Sequence, residues 1–247
     1  MSQPLPSPDS LPPWPMPSAP MHPALHLVGD STMADKRTPP SYPERGWGQP
    51  FRSLMKEPQR LVNHAANGRS TKRFVDEGRW AHVLSQLTAG DFVLVQFGHN
   101  DQKFDDPQRY APAATDFKDN LRRFVREARE RQATPLLATP VTRRSFDAHG
   151  RLVDTLGDYP DATRDVAREQ GVALLDLHER TRAWVQSLGP EASKRMFMWI
   201  APGHPHLPQG RQDNTHFVEV GAIAVARLAA ELMRELRLPI ANWLVAT

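Results

Sequence analysis

Five short apolar runs are spaced along the chain, each closed by a polar or glycine-bearing break. The first, Ala24-Leu25-His26-Leu27-Val28, stops at Gly29-Asp30 and predicts a buried strand ending in a tight turn. The second runs from Leu61 to Ala65 and is broken by Asn67-Gly68. Phe92 to Phe97 is the clearest, a continuous aromatic and β-branched run closed by Gly98, and its two-sided apolar character suits the centre of a parallel sheet. Pro135 to Val141 and Val172 to Leu177 predict a fourth and a fifth strand.

Helical spacing fills the intervals. A short helix is predicted over Phe51 to Met55, after Gly46-Trp47-Gly48-Gln49, and Ser70 caps a helix running through Phe74 to Leu87. Phe117, Leu121, Phe124, Val125 and Ala128 mark an amphipathic helix. Further helices are predicted from Asp161 to Gln170, from Glu179 to Ser187, and from Val218 to Arg237 with Ile223, Ala226, Ala230 and Met233 inward. Pro39 to Pro43, Arg143 to Asp158, and Trp199 to Asp213 read as loops. Strands alternating with helices imply right-handed crossovers. The expected fold is α/β, a three-layer α/β/α sandwich with a five-stranded parallel sheet in one domain over residues 24–247. Residues 1–23, punctuated by prolines from Pro4 to Pro23, read as an extended or disordered lead-in.

Composition narrows the possibilities. The chain has 247 residues, enough for one such domain, and no cysteine, which excludes disulfides, thiolate catalysis and cysteine-ligated metals. No apolar run reaches the length of a membrane span. The net charge of +3 is too small and scattered to argue for nucleic acid, and no nucleic-acid-binding motif is present. The start lacks the charged and continuously apolar pattern of a secretory signal, pointing to the cytoplasm unless an export signal has been removed. A monomer or weak oligomer is expected.

Four blocks fall just after a predicted strand or just before the last helix: Gly29-Asp30-Ser31-Thr32, Asn67-Gly68-Arg69-Ser70, Gly98-His99-Asn100-Asp101 and Asp213-Asn214-Thr215-His216. Ligands of open α/β sheets bind at the carboxyl ends of the strands, where Ser31 would sit. Each block alone has a plain structural reading; Gly-Asp-Ser-Thr can be a turn with a helix N-cap, and Asn-Gly an ordinary turn. Together they supply what acyl transfer needs. Ser31 would attack a carbonyl, His216 would relay its proton, and Asp213 would orient the imidazole. The backbone N–H groups of Ser31 and Gly68, with the Asn100 amide, would bind the oxyanion. The serine mechanism requires no cofactor or metal, and His204 and His206 read as loop residues, not ligands.

These blocks resemble those of the SGNH, or GDSL-type, hydrolases. The fuller strings Gly29-Asp-Ser-Thr-Met33, Gly46-Trp-Gly-Gln49, Asn67-Gly-Arg-Ser70, Phe97-Gly-His-Asn-Asp-Gln102 and Asp213-Asn-Thr-His-Phe217 look like the rhamnogalacturonan acetylesterase branch. The resemblance implies a flavodoxin-like sandwich, a Ser31–His216–Asp213 triad and an oxyanion hole completed by Gly68 and Asn100. It also implies an O-acetyl ester substrate on a pectic polysaccharide or oligosaccharide. Several relatives are exported, whereas this start shows no signal.

On that expectation Arg69, Lys72, Lys103, Arg143 and Arg144 are candidates to meet a uronate carboxylate, or else solvated surface charge. Asp30 and His99 join Arg69 and Arg143 as candidate substrate-binding residues. Trp47 and His99 would either line the sugar site or pack. Two other functions fit the same blocks: a broad carboxylesterase or thioesterase on small acyl esters, and a non-catalytic carbohydrate-binding protein. Neither Gly-x-Ser-x-Gly nor Gly-x-Gly-x-x-Gly occurs at the expected place, which removes the α/β-hydrolase and dinucleotide-binding readings.

Overall fold

The computed structural model describes residues 22–36 and 38–246. The expected lead-in therefore lies outside the described residues except at its end, where His22 Nδ1 is 2.9 Å from Asp91 Oδ1.

Five parallel strands form the main sheet: β1 (Leu25–Gly29), β3 (Leu61–Asn63), β4 (Phe92–Gln96), β5 (Thr134–Ala138) and β6 (Ala173–Leu175), in the order β3-β1-β4-β5-β6. Alternation with period two sends Leu25, Leu27, Phe92, Leu94, Leu136 and Ala138 into one core, and Val28, Val93, Val95 and Leu137 into the other. The first core is closed by α1 (Gly48–Phe51), α6 (Leu177–Ala192) and α7 (Glu219–Glu235). The second is closed by α2 (Thr71–Asp76), α3 (Arg79–Gln86), α4 (Lys118–Glu130) and α5 (Tyr159–Gln170). Burial on both faces explains why the inner strands β1, β4 and β5 read as nearly continuous apolar runs. The chain passes from β1 to β3 on one side and then crosses to β4 on the other side of β1, so the switch point lies between β1 and β4, where Ser31 and Asn100 follow their strands.

Three expectations change. The helix expected from Ser70 to Leu87 is two, because Gly78 takes a left-handed φ of +71° between α2 and α3. The short helix starts earlier than Phe51, at Gly48, and tightens into a 3₁₀ turn over Arg52–Leu54. The stretch from Trp199 to Asp213 is not all loop. Strands β7 (Phe197–Ile200) and β8 (Arg211–Val218) form a hairpin, and β2 (Glu44–Arg45) joins β8 in a second, antiparallel sheet. The β7–β8 register jumps from Phe197↔Phe217 to Met198↔Asp213, so Asn214, Thr215 and His216 bulge from the ladder.

Candidate active site

Ser31 leaves β1 through a turn built on its neighbours. Gly29 is required there, because a Cβ would lie 2.7 Å from the Gln96 carbonyl oxygen of β4. Asp30 is fully buried; its Oδ1 accepts from Thr32 N at 2.8 Å and Thr32 Oγ1 at 2.7 Å, and its Oδ2 is 3.1 Å from His99 Nδ1. Asp30 therefore holds the turn that carries Ser31, with both oxygens engaged, and is not presented to a substrate. Burial pushes the His99 pKa down more strongly than Asp30 pulls it up, and the His99 Nε2 is buried with no partner among the described residues.

Ser31 Oγ lies 2.8 Å from His216 Nε2, and His216 Nδ1 lies 2.8 Å from Asp213 Oδ2. The bulge makes this possible. It lets Asp213 and His216, three residues apart on one strand, turn toward each other, and Asp213 Oδ1 accepts the Thr215 and His216 backbone N–H groups at 2.8 and 3.0 Å. Burial raises the Asp213 pKa, but the His216 ring and those N–H groups outweigh it and hold the carboxyl well below the usual carboxylate range.

Gly68 has φ +72°, and a Cβ there would meet only Arg109 Nη1, at 3.9 Å, so the turn is open on that side. The Ser31 and Gly68 backbone N–H groups donate to no acceptor among the described residues. Asn100, 4% exposed, uses one amide proton on the Arg69 carbonyl at 3.1 Å and keeps the other. Asp101 ties this region together. Its Oδ1 accepts from Thr71 N at 2.8 Å and Thr71 Oγ1 at 2.6 Å, and its Oδ2 from Gly98 N at 3.1 Å. Burial pushes its carboxyl up to about 7.

The candidate carboxylate-binding cations are mostly committed elsewhere. Arg69 is turned inward, its Nε 2.9 Å from Glu77 Oε2 and its Nη1 2.7 Å from the Asn67 carbonyl. Lys72 pairs with Asp76 along α2. Arg144 is buried, donating to Ser193 Oγ, Asn214 Oδ1 and the Pro190 carbonyl, with its guanidinium over Trp199. Arg143 bridges Thr215 Oγ1, the Thr155 carbonyl and the His99 carbonyl, so it braces the bulge against the loop after β4. Lys103 stands on that same loop, near Arg109 and Arg143. Trp47 is fully buried, donating to Gln96 Oε1 at 2.8 Å, so it packs and lines no sugar site. Among the described residues no group of three His, Asp or Glu is arranged to hold a metal, and no helix is long and apolar enough to cross a membrane.

Ser31, His216 and Asp213 stand in hydrogen-bonded sequence at the switch point of the parallel sheet, and residues 27–219 match the GDSL-like Lipase/Acylhydrolase family. The chain belongs to that family and is an ester hydrolase. It is 46% identical over 223 residues to rhamnogalacturonan acetylesterase RhgT of Bacillus subtilis (strain 168), covering 90% of this chain and 94% of that protein. It is 35% identical to the probable rhamnogalacturonan acetylesterase YesY of the same organism, covering 90% and 97%. The crystal structure of Bacillus subtilis YxiM superposes with a TM-score of 0.75 at 25% identity, over 87% of this chain and 57% of that one. The acetylxylan esterase Axe2 of Geobacillus stearothermophilus shares the fold, with a TM-score of 0.62 at 18% identity over 93% and 99%.

Proposed function

We propose that the protein removes O-acetyl groups from a pectic carbohydrate of the rhamnogalacturonan type, through an acetyl-enzyme on Ser31. The observation that carries this reading is the pair of 2.8 Å contacts from Ser31 Oγ to His216 Nε2 and from His216 Nδ1 to Asp213 Oδ2. The substrate class rests on the two rhamnogalacturonan acetylesterase relatives.

Ser31 Oγ attacks the acetyl carbonyl while His216 Nε2 takes its proton. The negative oxygen that forms is met by the Ser31 and Gly68 N–H groups and the spare Asn100 amide proton. Collapse breaks the bond to the sugar oxygen, which leaves as an alcohol with the proton from His216. Water then adds to acetyl-Ser31 with His216 as base, and acetate departs. Asp213 keeps the imidazole oriented and balances its charge at each transfer. His99, its Nδ1 beside Asp30 and its Nε2 buried, packs behind the Ser31 turn. Residues 24–247 act as one esterase domain, and the partner is the acetylated carbohydrate itself.

The test is acetate release by the wild-type protein and by Ser31→Ala and His216→Ala, on acetylated rhamnogalacturonan oligosaccharides, acetylated xylan and a chromogenic acetate ester. Each substitution should lower turnover by about 10³-fold or more, and release should be fastest on the pectic oligosaccharide. Activity confined to the chromogenic ester removes the pectic substrate and leaves a broad esterase. Wild-type rates in either variant overturn the triad.

A further inference from the structure

The triad is one arc of a closed circuit. Asp213 Oδ2, which accepts from His216 Nδ1, also accepts from Arg211 Nη2 at 2.5 Å. Arg211 Nη1 reaches Glu44 Oε2 at 3.2 Å, and Glu44 Oε1 lies 2.9 Å from Lys36 Nζ. Lys36 Nζ donates to the Ser31 carbonyl at 2.6 Å and to Asn67 Oδ1 at 2.8 Å. His216 Nε2 on Ser31 Oγ closes the loop. The path thus leaves the nucleophile by its backbone carbonyl, crosses four charges of alternating sign, and returns to its hydroxyl.

These charges are poorly solvated. The side chains of Lys36, Glu44 and Asp213 are 2%, 12% and 16% exposed, and only Arg211, at 31%, reaches solvent to a larger extent. Replacing a buried ion pair by apolar groups is often neutral or stabilising, so stability alone does not account for such a chain. Its placement does. Pairing of β2 with β8, Glu44 opposite Val218, carries the Glu44 carboxylate to Arg211, while Lys36 lies on the segment that follows Ser31.

We propose that Arg211, Glu44 and Lys36 are positioning residues of the esterase reaction. Arg211 shares the triad carboxylate with His216 and so limits how strongly that carboxylate holds an imidazolium. Lys36, fixed by Glu44, pins the carbonyl of the nucleophile and the Asn67–Gly68 turn that carries an oxyanion donor. The inference rests on the triad reading above. The consequence has a sign. The two cations balance Glu44 and Asp213, so removing either cation leaves excess negative charge beside the ring and favours imidazolium. Removing the charge of Glu44 does the opposite. The other charged and titratable groups around the ring are Asp30 and His99 behind Ser31, and Arg143 bonded to Thr215, and all stay constant across these variants.

The experiment is kcat/KM against pH on a chromogenic acetate ester for the wild type, Arg211→Gln, Lys36→Met, Glu44→Gln and Ser31→Ala. The acid limb of this profile reports the free enzyme's essential base. It should move up by about 0.5–1 pH unit in Arg211→Gln and Lys36→Met, and down by a similar amount in Glu44→Gln. On the plateau, kcat should fall roughly tenfold in the two cation variants, with KM within about twofold. Unshifted limbs, or shifts of one sign in all three variants, overturn the proposal. Glu44→Gln keeps the side chain's shape and one of its two acceptors, so if a cation variant does not fold, the direction of the Glu44→Gln limb decides alone. Wild-type activity in Ser31→Ala would instead sink the triad reading, whereas serine-dependent activity with unshifted limbs sinks only the circuit.

Discussion

Glu77 anchors the turn that carries Gly68, and its removal should weaken the protein in a pH-dependent way. Its carboxylate, at the end of α2, accepts from Arg69 Nε at 2.9 Å, Arg73 Nε at 2.7 Å and Arg79 Nε at 2.6 Å. Burial works to raise its pKa, but the three guanidiniums prevail and bring it from 4.5 to about 2. Because the folded value lies below the unfolded one, the stabilisation is fully present above about pH 4.5 and is lost as the pH falls toward about 2. That displacement corresponds to roughly 3 kcal/mol before solvent screening. The side chain is 26% exposed, so we expect ~1–2 kcal/mol in practice. Urea unfolding of the wild type and Glu77→Gln should therefore differ by ~1–2 kcal/mol at neutral pH, and the two curves should converge at about pH 2–2.5. A difference that stays constant across that range would refute the electrostatic account and leave only a packing effect.

In the proposed mechanism Asn100→Ala should lower kcat by about 10²–10³-fold on any acetate ester through loss of one oxyanion donor; a loss below about tenfold would mean that the two backbone N–H groups suffice. Arg144→Ala should destabilise the fold by roughly 1–3 kcal/mol in urea unfolding, since it leaves Asn214 Oδ1 and the Pro190 carbonyl without this donor. Its KM for an acidic oligosaccharide should rise no more than for a neutral ester, and a selective rise for the acidic one would restore Arg144 as a substrate ligand.

The main sheet was legible because its inner strands β1, β4 and β5 are buried on both faces, which leaves an apolar run between turn residues, and the half-buried edge strands β3 and β6 are still mostly apolar. Strand β8 was not, and the reason lies in the site. Of Arg211 to His216, every side chain is polar, and Asp213 and His216 are committed to each other and to Ser31, not to a core. A strand whose polar side chains bond to one another and to Ser31 carries no hydrophobic signature, so hydropathy reported a loop over the Asp-x-x-His block. The opposite error befell the arginines. Arg69 and Arg144 stand among turn residues and read as surface cations, yet each is 7% exposed and braces a site-bearing segment through partners that only the tertiary fold supplies. Lys36, Glu44 and Arg211 carried no signal, because single charges up to 175 residues apart have neither spacing nor periodicity to betray them. Sequence motifs therefore marked the groups that the structure brings together around Ser31, and the charges of Lys36, Glu44 and Arg211 beside them became visible only when β2 and β8 came together. The sign reversal between Arg211→Gln and Glu44→Gln probes that second set directly, since a brace that acted by packing alone would move no titration.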